Sequence, residues 1–169
     1  QWLAENLHHC RVFAGSCSEG ALRTDTFAVT HTGSGHTDIG GINTDDASIV
    51  EALKCELSLA YQADIQRALW QKLVVNCCIN PLSVIYDCKN GGLLENPKAM
   101  QQIKEIIVEC QQVATASGMG HALTDASERV NHVIRCTANN SSSMRQDVLL
   151  NRPSEIDAIN GYIVLQGEI

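Results

Sequence analysis

The chain has 169 residues, of which 44% are hydrophobic and 18% are charged, and its 12 Lys and Arg against 19 Asp and Glu give a formal net charge of −7. This length suits one domain, or one domain with part of another, and it is ample for an apolar core. The apolar content argues against a disordered chain, and the acidic balance argues against a surface that neutralises nucleic-acid phosphates. We therefore expect a folded protein that does not bind nucleic acid.

The eight cysteines are dispersed and form no Cys-x-x-Cys pair, which argues against a zinc ribbon or a thioredoxin-type site. We predict buried or half-buried thiols in a reducing cytoplasm, and no metal site. Neither a signal peptide nor an apolar run long enough to span a membrane is evident, so we expect a cytoplasmic protein without membrane contact. The chain opens at Gln1 without Met and stops at Ile169 directly after an apolar run, so we expect a fragment cut at both ends.

Residues 1–44 have the pattern of a small β structure. A helical end is followed by a strand over 11–16, and strand-like segments over 27–32 and 36–39 flank Gly33-Ser34-Gly35, which predicts a hairpin turn. The glycines superficially resemble the start of a dinucleotide-binding loop. However, the third glycine is absent and strand-like residues follow, so no helix N-terminus is available for a pyrophosphate.

From residue 45 onward the hydrophobic period becomes helical, which predicts an all-α region. The first predicted helix carries Ile49, Leu53, Leu57 and Ala60, and the second carries Trp70, Leu73, Val74 and Cys77. Further helices are predicted around 97–117, around 124–137 and from 153 onward, with Pro153 at a first helical position.

Lys72, Asn76 and Asn80 lie at i, i+4 and i+8 in an otherwise apolar segment. On a helix they form one polar stripe about 12 Å long. Burying an ammonium and two amides without partners would cost several kcal/mol, so the stripe either binds a ligand or faces solvent or a neighbouring domain. Pro81 disfavours helical geometry at the residue before it, so we expect the helix to kink or end there.

A second polar cluster covers 141–147 and 152–161. One interpretation is purely structural. Ser154 followed three residues later by Asp157 resembles a capping box, and Glu155 suits the first turn of a helix. Its functional interpretation is a second set of ligand-binding side chains. The spacing alone leaves both open.

Together, these segments resemble a known family. The pattern Trp-x-Lys-Leu-x-x-Asn-x-x-x-Asn-Pro at 70–81, Ser-Ser-Met-x-Gln-Asp at 142–147 and Glu-Ile-Asp-x-Ile-Asn-Gly at 155–161 is similar to the signatures of the ketopantoate reductases. The segment 35–40 is similar to the Gly-x-Thr-x-Ile-Gly at the edge of the family's nucleotide domain. The order and the spacing from Ser143 to Glu155 match as well, so the resemblance covers most of the chain.

The resemblance implies a two-domain NADPH-dependent enzyme that reduces 2-dehydropantoate to pantoate in the cytoplasm, on the route to pantothenate and coenzyme A. It implies that residues 1–44 are the tail of a Rossmann domain and that 45–169 form a truncated, all-helical substrate domain, so the fold class is mainly α with a β remnant. By the same resemblance Lys72 is the general acid and Glu155 the acidic partner that orients the substrate. Asn76, Asn80 and Ser143 are then substrate-binding residues, whereas Asp157 and Asn160 are structural.

The chain also departs from the family, because it has no strand–Gly-x-Gly-x-x-Gly–helix opening. The resemblance therefore implies that the cofactor-binding residues lie outside this chain and that the chain alone is inactive. Two alternatives remain: a reductase of another 2-keto or imino acid on the same architecture, and a non-catalytic helical dimerisation module. A homodimer is compatible with all three.

Overall fold

The computed structural model describes residues 2–53 and 58–168. Its contacts divide the chain into two compact units, Gln1–Leu69 and Trp70–Ile169. The division lies after the predicted boundary at residue 44, because a late strand, Leu59–Tyr61, pairs with the strand Thr37–Gly41 of the first unit. That 1–44 and 45–169 belong to a nucleotide domain and a substrate domain stays a prediction.

The first unit contains short helices and short strands. In chain order they are α1 (Trp2–Asn6), β1 (Phe13–Cys17), β2 (Gly20–Asp25), β3 (Ala28–Gly33), β4 (Thr37–Gly41), α2 (Ser48–Leu53) and β5 (Leu59–Tyr61). One sheet has the order β1-β4-β5, and β2 pairs with β3 in a second sheet. β1 and β4 are antiparallel, whereas β4 and β5 are parallel.

The predicted hairpin turn at Gly33-Ser34-Gly35 is wrong. β2 and β3 are antiparallel with Asp25 opposite Ala28, so the chain reverses there, and β4 pairs with β1 rather than with β3. Gly35 instead lies in the segment that connects β3, in the two-stranded sheet, to β4, in the three-stranded sheet. A Cβ on Gly35 would come within 2.5 Å of the Ser18 backbone, so the glycine allows a close approach rather than a turn.

The predicted helix through Ile49 is only partly confirmed. α2 ends at Leu53, Leu57 lies outside the described residues, and Ala60 lies in β5. The apolar spacing that resembled a helix at Ala60 comes from a three-residue strand with hydrogen-bonded neighbours in β4. A segment this short carries no period of its own.

The second unit is helical, as predicted. Its elements are α3 (Ile65–Ile85, which begins in the first unit), α4 (Gly92–Glu95), α5 (Pro97–Ala116), a 3-10 turn (Gly120–Leu123), α6 (Ala126–Cys136), α7 (Ser143–Leu149) and α8 (Ile156–Gly167). The helices predicted around 97–117 and 124–137 are confirmed. The last helix begins three residues later than predicted, so Pro153 precedes it and is exposed.

α3 is the central helix of the core. Its buried residues pack in one cluster with apolar residues from α4 to α8: Trp70, Val74, Cys77, Cys78, Ile79, Leu82, Leu93, Ile103, Ile107, Cys110, Val130, Ile134, Met144, Ile159 and Ile163. Apart from its polar stripe α3 is largely apolar and needs cover, and α5, α6 and α8 supply amphipathic or apolar faces for this purpose. The mainly α fold class is therefore confirmed.

The expectation that no segment could span a membrane needs correction, because α3 is long and apolar enough by length and composition, with a mean hydropathy of 1.2. Of its apolar window, 44% is buried inside the protein. Its position in the helical core explains the apolar composition without a membrane.

The prediction for the cysteines is half right. Cys77, Cys78 and Cys110 are buried and Cys88 is half-buried, whereas Cys10, Cys17 and Cys136 are exposed, and Cys55 lies outside the described residues. A hydrogen bond that the Cys77 thiol donates to Cys110, together with burial, raises the pKa of Cys77, and burial raises the pKa of Cys78, so both are neutral packing groups.

Pro81 does not end α3, so of the two expected outcomes the helix end is wrong, and the kink stays a prediction. The helix continues for four residues after it. Because Pro81 has no N–H, the carbonyl of Cys77 four residues earlier loses its helical donor. Asn160 of α8 replaces that donor, with its Nδ2 placed 3.2 Å from the Cys77 carbonyl oxygen. An amide from a second helix thus completes the hydrogen bonding of the central helix.

We predict that Asn160→Ala lowers the free energy of unfolding by about 1–2 kcal/mol, because the Cys77 carbonyl then has no partner in the core. In a Pro81→Ala background the N–H restored at position 81 can donate to that carbonyl, so the cost of Asn160→Ala should shrink. Urea unfolding of the two single variants and the double variant measures this coupling.

The matched control is Asn131→Ala, since Asn131 also donates its Nδ2 to a helix carbonyl, that of Ser127, but at an exposed position on α6. This variant should lose little stability. Additive costs for Pro81→Ala and Asn160→Ala would contradict the assignment of Asn160 as the replacement donor.

Candidate functional site

The predicted polar stripe lies on α3 and passes from solvent into the core. Lys72 is exposed, Asn76 is half-buried and Asn80 is 7% exposed. The three side chains are one helical turn apart, so an ammonium at the surface is followed by two amides at increasing depth. A stripe that simply faces solvent would not bury Asn80.

The amide of Asn80 is the most unusual group in this stripe. Within the part of the chain that the structure describes, the side chains of Asn76 and Asn80 form no hydrogen bond. Neither amide atom of Asn80 is among the fully buried side-chain atoms that lack a partner, so the amide of this largely buried residue is open to a ligand at the deep end of the stripe.

Ser143 lies at the first position of α7, and its side chain is exposed. The residue before it, Ser142, is the N-cap of the helix, and its Oγ accepts a hydrogen bond from the Arg145 backbone N–H at 3.0 Å. The second serine of the motif is therefore available at the surface because the first one performs the capping.

The N-terminus of α7 is attached to α3 at two points. Ser83 and Ser142 form a buried hydrogen bond with 2.6 Å between their Oγ atoms. The Arg145 guanidinium donates to Asp87 Oδ1, directly after α3, at 2.9 Å from Nη2. These contacts fix where Ser143 lies relative to α3.

Glu155 is the N-cap residue of α8, and its side chain is exposed and makes no capping hydrogen bond. The capping-box interpretation is therefore wrong, because Ser154 precedes the cap position and Asp157 lies in the first turn as an exposed side chain. The carboxylate of Glu155 serves no capping role, which leaves it available for a ligand.

The loop between α7 and α8 is held by Arg152. Its backbone N–H donates to the Asp147 carbonyl at 2.8 Å, and its Nη2 lies 2.7 Å from Asp147 Oδ1. This pair links the end of α7 to the segment that leads to Glu155. The short connection therefore has a defined path.

α8 packs on α3 through two specific contacts, and these help to place Glu155. The Trp70 and Tyr162 rings meet edge to face with centroids 6.1 Å apart, and Asn160 bonds the Cys77 carbonyl. A later residue of α3 thus meets an earlier residue of α8, so the two helices run in opposite directions. This points the start of α8 toward the Asn76–Asn80 half of α3.

The structure thus brings the five predicted site residues onto three helices in contact, α3, α7 and α8. It does not join them all directly, because in the described ranges neither Ser143 nor Glu155 forms a hydrogen bond through its side chain. Sequence reasoning missed Ser83, although it continues the stripe of α3 three residues after Asn80. The same helical spacing could have found it.

The described residues contain no group of three His, Cys, Asp or Glu side chains placed to hold a metal ion. They also show no phosphate-binding loop at Gly33-Ser34-Gly35, because that segment connects two strands. The functional groups of the five predicted site residues are an ammonium, two amides, a hydroxyl and a carboxylate. Such a set recognises a polar organic acid through hydrogen bonds.

Comparisons with known proteins identify the family of this chain. A family described as the C-terminal region of ketopantoate reductase PanE/ApbA matches residues 64–169. The 2-dehydropantoate 2-reductase of Vibrio cholerae is 40% identical over 98% of this chain and 57% of its own length. A crystal structure of a probable 2-dehydropantoate 2-reductase from Bacillus subtilis has a TM-score of 0.79 at 30% identity, over 98% of this chain and 58% of that one.

A structure of D-mandelate dehydrogenase with NADH is also similar, with a TM-score of 0.81 at 25% identity over 92% of this chain and 59% of that one. The chain thus spans little more than half the length of these relatives. Since the family match covers more than half of the chain and the Vibrio cholerae relative is similar along almost all of it, the chain belongs to the ketopantoate reductase family and corresponds to its C-terminal portion.

Proposed function

We propose that this chain is the substrate-binding part of an NADPH-dependent enzyme that reduces the ketone of 2-dehydropantoate to pantoate. The observation that carries the proposal is the stripe on α3, which leads from the exposed Lys72 to the largely buried Asn80, whose amide forms no hydrogen bond among the described residues. The family membership supplies the reaction class, because relatives with this name are similar over most of the chain.

In this proposal the chain supplies the proton that the carbonyl oxygen takes up during the reduction. When bound, the nicotinamide cofactor supplies the hydride that reaches the carbonyl carbon. The Lys72 ammonium hydrogen-bonds the carbonyl oxygen, stabilises the negative charge that develops there, and transfers a proton to it. The product is then a neutral alcohol, and no charge is left on the oxygen.

The other four side chains bind and orient the substrate. Asn76, Asn80 and Ser143 each carry an N–H or O–H donor suited to the carbonyl and carboxylate oxygens of a keto acid. The Glu155 carboxylate accepts a hydrogen bond from the substrate's own hydroxyl group. Donors for the oxygens of the keto acid and an acceptor for a hydroxyl group together favour a hydroxy keto acid bound in one orientation.

A second candidate is a reductase for a different 2-keto acid, with NADH as an alternative reductant. It is favoured by the similarity to D-mandelate dehydrogenase, whose structure holds NADH. Initial rates for a panel of 2-keto acids with each nicotinamide cofactor separate the candidates. A preference for a keto acid without a hydroxyl group would support the second.

We predict that Lys72→Ala lowers kcat for 2-dehydropantoate at least about 100-fold in the protein encoded by the complete reading frame, because the proton donor at the carbonyl oxygen is lost. Lys104→Ala is the matched control, since Lys104 is also exposed on a helix, α5, that carries none of the predicted site residues. Circular dichroism checks that both variants are folded. A Lys72→Ala rate within twofold of the unmodified protein would remove Lys72 from the mechanism.

We also predict that the 169-residue chain by itself neither oxidises NADPH nor binds it, because its described residues include no glycine-rich strand–helix loop for the pyrophosphate. Isothermal titration calorimetry with NADPH measures this directly. Micromolar affinity would place a cofactor site within these residues and contradict the proposed division of the active site.

A further inference from the structure

We propose that Ser83 is a positioning residue for substrate binding. Through Ser142 it holds the N-terminus of α7, and therefore Ser143, at a fixed place relative to Asn80. The proposal rests on the function proposed above, because it assigns to Ser83 the geometry on which two substrate-binding side chains depend.

The hydrogen bonds around Ser83 have a single consistent direction. The Ser83 Oγ donates to the Asn80 carbonyl at 2.8 Å, which uses its only proton. The 2.6 Å contact with Ser142 must then have the Ser142 hydroxyl as donor. The Ser142 Oγ in turn accepts from the Arg145 N–H at 3.0 Å. The result is a chain of three hydrogen bonds from the first turn of α7 to the backbone of Asn80.

The two hydroxyl groups of this chain are buried. Ser83 is 0% exposed and Ser142 is 6% exposed, so water does not compete for their hydroxyl groups. Each hydroxyl proton and each acceptor is used, so a rotation of either side chain would leave a buried polar group unpaired. The link therefore acts as a rigid spacer between α3 and α7.

The two ends of this link are the residues that matter for the substrate. One end is the carbonyl of Asn80, whose side chain is the deep end of the stripe. The other end is Ser142, which directly precedes Ser143. A shift of α7 by about 1 Å would misalign the Ser143 hydroxyl with a ligand held by Asn80, and misplacements of this size weaken binding and catalysis strongly.

Ser83→Ala is a clean test, because it removes the link and leaves the cap of α7 in place. The Ser142 Oγ still accepts from the Arg145 N–H, and the Arg145 guanidinium still reaches Asp87 Oδ1. α7 should therefore remain helical while its position becomes less defined. A change in substrate binding can then be assigned to position rather than to unfolding.

In the protein encoded by the complete reading frame, Ser83→Ala should raise the KM for 2-dehydropantoate about five- to tenfold and leave the KM for NADPH within twofold. Ser83→Thr keeps the hydroxyl and should restore most of the KM. If the added methyl group destabilises that variant, the comparison of Ser83→Ala with the control below still decides.

The matched control is Thr137→Val. Thr137 also uses one hydroxyl to join two elements, donating to the Val133 carbonyl at 2.7 Å and accepting from Asn90 Nδ2 at 2.9 Å, but it lies at the end of α6, which carries no predicted site residue. This variant should lower the Tm without changing either KM. An equal rise of the keto-acid KM in both variants would show that general destabilisation is the cause and would overturn the proposal.

Amide hydrogen exchange gives a readout that does not depend on the reaction. In Ser83→Ala the Arg145 N–H keeps its bond to Ser142, but without the Ser83 anchor the first turn of α7 should open more often. The proposal therefore expects faster exchange at the Arg145 N–H in Ser83→Ala and no change there in Thr137→Val; unchanged exchange in Ser83→Ala would overturn it. If the unmodified protein reduces no keto acid, the proposed function fails by itself, and faster exchange in Ser83→Ala would still support the link between the two helices.

Discussion

Pro81 creates the constraint on which the helical unit depends. It removes one N–H from the C-terminal part of the central helix α3, and a carbonyl left without a donor in such a core is costly. Asn160 supplies that donor and thereby fixes α8 against α3. The same turn of α3 also receives α7, because the Asn80 carbonyl is the end point of the Ser83 and Ser142 hydrogen bonds. The turn of α3 around Pro81 thus holds both α7 and α8 through hydrogen bonds.

This arrangement explains why the candidate site residues occur on different elements. Lys72, Asn76 and Asn80 need only the helical repeat of α3 to lie in line. Ser143 and Glu155 each stand at the start of another helix, and both of these helices are attached to the Asn80–Pro81 turn. A site built this way gains precision from packed helices rather than from long loops. It also keeps the chemistry at the surface while the supporting hydrogen bonds are buried.

The sequence was a good guide wherever a pattern was long and local. The apolar period placed α5 and α6 within about two residues, and the i, i+4, i+8 spacing placed the polar stripe on one side of α3. The pattern failed for short segments. The glycines at 33–35 predict a turn, whereas Gly35 instead allows a close approach to Ser18. The pattern does not predict β5, because a three-residue strand has no distinguishable period.

Residue order alone indicates the family, the helical character of the second unit, and the polar residues that interrupt an apolar helix. The reason is that these properties depend on residue order and on helical geometry, both of which are local. The packing of the helices, in contrast, buries Asn80 and leaves Lys72 exposed. It also brings Asn160 to the Cys77 carbonyl and Ser83 to Ser142. Those facts depend on contacts between residues about 60 to 80 positions apart, and the local period contains no information about such pairs.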